Sequence, residues 1–191
     1  MVIRINERIV NIIHSYVVLR LVAVEGVMYS GTISGPLERI FNGFGGYCLY
    51  SHTLDKAGAV LYSIVHGHSF SDGNKRTGLL TTYLFLMYNG YSLNVPKDTT
   101  RFLERMADAV NPDAPTEMDA IAWVRRNAGK SFWAFIISVM LMVFCKVWGT
   151  DFLETMTKTM LEQNALPGID KNQLVDKTLQ RGKIQPAIAC G

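Results

Sequence analysis

Ten consecutive residues, His68-Ser69-Phe70-Ser71-Asp72-Gly73-Asn74-Lys75-Arg76-Thr77, set a histidine, a carboxylate, a glycine, an amide and two cations side by side. An apolar, helix-compatible run from Leu79 to Tyr88 follows directly. The pair reads as a loop ending at a helix N-terminus. Gly73 lets the backbone turn tightly. The amides of Gly73, Asn74 and Lys75 would then point out of the helix start, where the dipole favours anions. Lys75 and Arg76 add positive charge, completing a cradle for phosphate, and Thr77 closes the stretch. Asp72 is a natural ligand for the magnesium that accompanies nucleotide phosphates. His68 is placed to take a proton from a hydroxyl. A base, a metal carboxylate and an anion nest together point to phosphoryl or nucleotidyl transfer.

Helices on both sides must position this loop. Leu54 to Val65 carries one apolar stripe of Ala57, Val60, Leu61, Ile64 and Val65, with Thr53 as a cap and Asp55 in the first turn. It stops at His66-Gly67, and His66 reads as a helix-end residue. A second helix runs from about Asn74 to Asn89, with Asn89-Gly90 as its stop signal. Two antiparallel helices would thus present His68 and the nest at one end, and Phe70 would anchor the loop between them.

Upstream, Ile3 to Leu21 reads as a helix on the spacing of Ile5, Ile9, Ile12, Ile13 and Tyr16, with His14 as a core histidine. Gly26 to Gly35 is loop-like, and Pro36 to Ile40 a short helix. Phe41 to Tyr50 mixes glycines with aromatics and fits either a small β-hairpin flap or a surface loop. Downstream, Thr99 to Val110 reads as a helix with Phe102, Leu103, Met106 and Val110 facing inward. Thr116 caps another to about Arg126, packed through Ile121, Trp123 and Val124.

The chain has 191 residues, room for one good core. Its composition is 49% hydrophobic and 18% charged, and the net charge of +3 is too small to argue for nucleic acid as a direct partner. Cys48, Cys145 and Cys190 form no disulfide or metal pattern, which fits a reducing compartment. Met1 to Arg8 is charged rather than signal-like.

The pattern H-x-F-x-D-G-N-K-R-T at residues 68–77 resembles the signature of the Fic/Doc (Fido) family, and its lysine form is most similar to the Doc, or death-on-curing, branch. The resemblance in element order runs from about residue 5 to Arg126. It implies an all-α, Fic/Doc-like helical bundle with a small β-hairpin flap, here Phe44, Gly45, Gly46 and Tyr47, that aligns a target peptide. It implies ATP as substrate with Mg²⁺ held at Asp72, and His68 deprotonating a Ser or Thr hydroxyl on a target protein. Gly73, Asn74, Lys75, Arg76 and Thr77 would bind the phosphates, with Lys75 and Arg76 also stabilising charge in the transition state. AMP-transferring members have a glycine where this chain has Lys75, and a further arginine where it has Leu79. Both departures match the Doc branch, in which the γ-phosphate is transferred, so kinase activity is favoured over AMP transfer. The resemblance also implies elongation factor Tu as the target and an antitoxin acting in trans. An inhibitory S/T-x-x-x-E-G/N pattern is missing, since Leu21 stands four residues before Glu25-Gly26. A non-catalytic module on the same fold, or a membrane-associated interaction protein, are the readings from other classes.

The last third differs in character. The catalytic unit is expected over residues 1–128, an apolar and amphipathic helical extension over 129–165, and a polar tail over 166–191. Phe132 to Cys145 is interrupted only by Ser138, covering about 21 Å as a helix against roughly 30 Å of hydrocarbon. Lys130, Lys146, Trp133 and Trp148 bracket it. Two readings stay open for Phe132 to Trp148, a membrane anchor and a helix buried in the core or a partner interface. The expected location is cytoplasmic, on the inner membrane face if the segment anchors, with Arg125, Arg126 and Lys130 on that side. Asp151 to Gln163 reads as an amphipathic helix with Phe152, Met156 and Met160 on one face.

Overall fold

The computed structural model describes residues 2–21, 33–42 and 47–163. Among them run α1 (Glu7–Leu21), α2 (Ser34–Asn42), α3 (Thr53–Val65), α4 (Asn74–Tyr88), β1 (Tyr91–Leu93), α5 (Thr99–Ala107), α6 (Glu117–Asn127), β2 (Ala128–Lys130), α7 (Phe132–Trp148) and α8 (Thr150–Glu162). The fold is mostly helical, as expected. Its two strands pair antiparallel, Tyr91 opposite Lys130 and Leu93 opposite Ala128. That sheet lies elsewhere in the chain than the expected flap. Phe44, Gly45 and Gly46 fall outside the described residues, as do Glu25-Gly26 and the tail from Pro167.

The centre of the molecule is α4, whose residues from Thr77 to Tyr88 are all buried. A helix that is apolar on every side must be surrounded, and α3, α1 and α7 pack around it. On its other side α3 packs tightly on α6. Gly58 makes that approach feasible, because a Cβ there would sit 2.4 Å from the Cα of Ile121. The same interface is pinned by Arg125, whose Nη2 lies 2.6 Å from Oδ1 of Asp55. Thr116 and Asp119 cap α6 reciprocally, as the threonine before the helix predicts. Glu117 in the first turn of α6 accepts from Arg39 at 2.9 Å and from the Tyr50 hydroxyl, tying α2 to α6. Burial first, and the Glu117 carboxylate second, push the Tyr50 hydroxyl up to about 12.

Several boundaries differ from the sequence reading. The first helix starts at Glu7, with the Asn6 side chain accepting from the Ile9 N–H at 2.9 Å. Ile3 is instead clamped by Asn89, which accepts from its N–H at 2.8 Å and donates to its carbonyl at 3.0 Å. Thr53 lies inside α3 rather than capping it, and His52 holds the cap position without a side-chain bond. The helix expected to reach Val110 stops at Ala107, and Val110 is 92% exposed rather than facing inward. The turn residues Asn111 to Ala114 close early there, Ala114 N–H bonding to Asn111 O at 3.0 Å.

The C-terminal extension folds back. α8 packs on α1, and α7 on α4 and α8. In α8 the fully buried stripe is Leu153, Thr157 and Leu161, while the expected face of Phe152, Met156 and Met160 is only half-buried. α7 is not enclosed by the core of its own chain. It buries Ala134, Ser138 and Leu141 and leaves most of its other apolar side chains in the open. Its 17 residues rise about 26 Å, and no helix among the described residues is long and apolar enough to cross a membrane.

One consequence of this docking is measurable. The Tyr88 hydroxyl meets Thr157 Oγ1 at 2.9 Å, joining α4 to α8 in the core. Burial pushes it from the usual 10.0 up to about 12, against a smaller downward pull from Thr157. The folded state therefore holds the neutral phenol while the unfolded chain ionises first. This contribution is fully present below pH 10 and is lost as pH rises through about 12. The two-unit displacement is worth roughly 2–3 kcal/mol. Urea midpoints followed through this alkaline range should fall more steeply for the wild type than for Tyr88→Phe; parallel slopes would contradict the buried placement of this hydroxyl.

Candidate active site

The loop between α3 and α4 turns on two left-handed residues, His68 at φ 45° and Gly73 at φ 76°. Glycine adopts that conformation freely, whereas a histidine does so only when its surroundings hold it. Three sets of contacts do the holding. Phe70 is buried beneath the loop, its ring stacked on His14 with centroids 3.8 Å apart. Asn74 clasps the loop reciprocally, accepting from the Phe70 N–H at 2.9 Å and donating to the Phe70 carbonyl at 2.7 Å. The histidines reach across to the end of α5. His66 Nδ1 lies 3.1 Å from the Met106 carbonyl and His68 Nε2 2.9 Å from the Ala107 carbonyl.

That last contact fixes a tautomer. A carbonyl only accepts, so the Nε2 of His68 carries the hydrogen. In the neutral ring, Nδ1 then holds the lone pair. The ring is exposed, so a hydroxyl from outside can approach it.

The phosphate end is built at the start of α4. The first turn of a helix leaves its N–H groups without intrahelical partners, and the first bond of this ladder is Thr77 N–H to Gly73 O at 2.8 Å. The Gly73 N–H is already bonded, at 2.5 Å, to Oδ1 of Asp72. Lys75 is half-exposed and its Nζ lies 3.9 Å from Glu104 on α5. An ion pair of that kind contributes at most about 1 kcal/mol, so a phosphate can compete for the lysine. Arg76 is half-buried beside it in sequence. Among the described residues no cluster of three His, Cys, Asp or Glu side chains could hold a metal alone. A single carboxylate at Asp72 suits magnesium, which takes its other ligands from phosphates and water.

The expected site residues thus divide. His68, Asp72, Gly73 and Lys75 stand on one short loop and the first turn of α4. The Asn74 side chain is occupied as the loop's clasp, which leaves its backbone N–H for the nest. Thr77 is fully buried, its hydroxyl 3.2 Å from Nδ1 of His14. Its side chain belongs to the core under the nest. Of the flap, Tyr47 is described and is 80% exposed. Sequence reasoning missed Glu104 and the carbonyl end of α5, and it placed His14 in the core without connecting it to the loop. No local signal marks contacts between residues so far apart in the chain. A cavity of about 360 Å³ lies elsewhere, at the start of α1 and along α2, beside Arg4, Glu7 and Glu38.

Residues 1–86 match the model of the Fic/DOC family. The match ends in α4, short of the residue near 126 to which the resemblance in element order extends. A curated protein, Toxin Doc of Mycolicibacterium smegmatis, is 35% identical over 77 residues, which cover 40% of this chain and 58% of that protein. The chain therefore spans a little over half the length of the relative it matches.

Proposed function

Through residues 1–86 this chain belongs to the Fic/DOC family, and from that premise we propose that it transfers the γ-phosphate of ATP to a Ser or Thr hydroxyl of a target protein. The observation that carries the reading is His68, anchored through Nε2 to the Ala107 carbonyl, on the same short loop that leads into the start of α4. Nδ1 of His68 takes the proton from the target hydroxyl. The hydroxyl oxygen forms a bond to the γ-phosphorus, the bond from phosphorus to the β–γ bridging oxygen breaks, and ADP leaves with that electron pair. The N–H groups at the start of α4, with Lys75 and Arg76, hold the phosphates and oppose the charge that develops on them. When bound at Asp72, Mg²⁺ supplies further charge neutralisation there. The protein would act as a Doc-type toxin restrained by a separate antitoxin, with elongation factor Tu as the first target to examine.

Attack at γ rather than α is favoured by Lys75, which fills the space a glycine would leave open, and by Leu79. Leu79 is buried against the core, so the position where AMP-transferring members carry a second arginine offers no charge. Incubation of the chain with a bacterial lysate and ATP labelled at either the α or the γ position tests this. Protein-bound label from γ alone is the expected result. Label from α would mean AMP transfer, and ATP binding without any transfer would leave a binding module.

A further inference from the structure

The broad apolar face of α7 is assigned no role by the reaction above. Trp133, Phe135, Met140, Val143, Val147 and Trp148 on this helix range from 53% to 74% exposed, and Lys146 is the one charge along its 17 residues. Ala134, Ser138 and Leu141 are buried, with Ile137, Met142 and Cys145 packed partly against the core, so the helix is fixed to the fold by one side. The exposed apolar area is on the order of 1,000 Å², judged from the size of these side chains. The largest such patch on a monomeric protein is usually about 300–600 Å². A stable dimer covers about 800 Å² on each partner. The patch is therefore large for a free surface and sufficient for a dimer.

We infer that α7 pairs antiparallel with α7 of a second copy of this chain, crossing near Met140. The charges at its two ends fix the orientation. Lys130 precedes the helix and Asp151 follows it, both exposed. An antiparallel crossing puts Lys130 of each copy opposite Asp151 of the other, whereas a parallel one would stack like on like. It also sets the two Lys146 Cα positions about 18 Å apart along the axis, beyond the screening length of roughly 8–10 Å. A lipid surface is the competing occupant, and no helix among the described residues is long and apolar enough to cross a membrane.

Sedimentation of the full chain at micromolar concentration tests the inference. The wild type should be a dimer. Met140→Glu brings two carboxylates together at the crossing and should weaken dimerisation at least about a hundredfold. Its far-UV spectrum should match that of the wild type, because Met140 is exposed. Asp151→Lys should weaken the dimer, and adding Lys130→Glu should restore it. A monomeric wild type, a dimer indifferent to Met140→Glu, or a monomer that co-sediments with phosphatidylserine vesicles would overturn the pairing. Failure of the charge exchange to restore dimerisation would overturn the antiparallel orientation.

Discussion

His68→Gln is expected to lower phosphate transfer by about a thousandfold while ATP binding and thermal stability stay near wild type. Removal of a positioned base costs on the order of 10²–10⁴ in rate, and this variant removes little else. The glutamine amide nitrogen can occupy the place of Nε2 and donate to the Ala107 carbonyl, which His68 now meets at 2.9 Å. The loop is thus still tied to α5. Glutamine has no group that can accept a proton where Nδ1 stood. His68→Ala removes both functions, so comparing the two separates the base from the tether. If transfer in His68→Gln persists within tenfold of wild type, Nδ1 is not the base and the proposed chemistry fails. Loss of ATP binding would instead make His68 a binding residue.

The second large effect concerns the frame rather than the chemistry. Gly58→Ala should destabilise the fold by about 3 kcal/mol, although alanine is the better helix former. The added Cβ would lie 2.4 Å from Cα and 2.7 Å from N of Ile121. Both are backbone atoms and cannot swing away, so α3 and α6 would have to separate. That would also stretch the 2.6 Å contact between Asp55 and Arg125. For a chain of this size the loss corresponds to a drop of several degrees in Tm. Gly35 in α2 is the control, since a Cβ added there would meet nothing within 4 Å. Gly35→Ala should be neutral or slightly stabilising. Equal melting temperatures for Gly58→Ala and wild type would mean that α3 and α6 do not approach this closely.

Both effects involve α3, which holds the loop on one side while α4 holds it on the other. α3 delivers His66 and α4 receives Gly73, and what keeps the intervening residues in place comes from further off. The α5 carbonyls, the His14 ring and the buried Phe70 are separated in the chain yet meet under or beside one short loop. Glu104 belongs to the same group through Lys75. Substitutions there would alter the site without touching its signature.

What the sequence determined by itself was the local order. The spacing of Ala57, Val60, Leu61 and Ile64 declared α3, and Thr116 declared the start of α6. Residues 68–77 declared the loop and the helix start beneath it. These are decided within a few residues, by periodicity, capping and turn chemistry, so they are readable in one dimension. The tertiary structure decided where long-range partners fall. It chose Asn89 as the clamp on Ile3, sent Val110 outward and turned the buried stripe of α8 to Leu153, Thr157 and Leu161. It also took Thr77 out of the phosphate nest and into the core against His14. The run from Phe132 to Trp148 is the clearest case. Apolar on every side, it had no periodicity to say which face would pack, and only docking against α4 and α8 selected the edge of Ala134, Ser138 and Leu141. Hydrophobicity is non-directional, so a uniformly apolar helix states that it will be covered without stating by what.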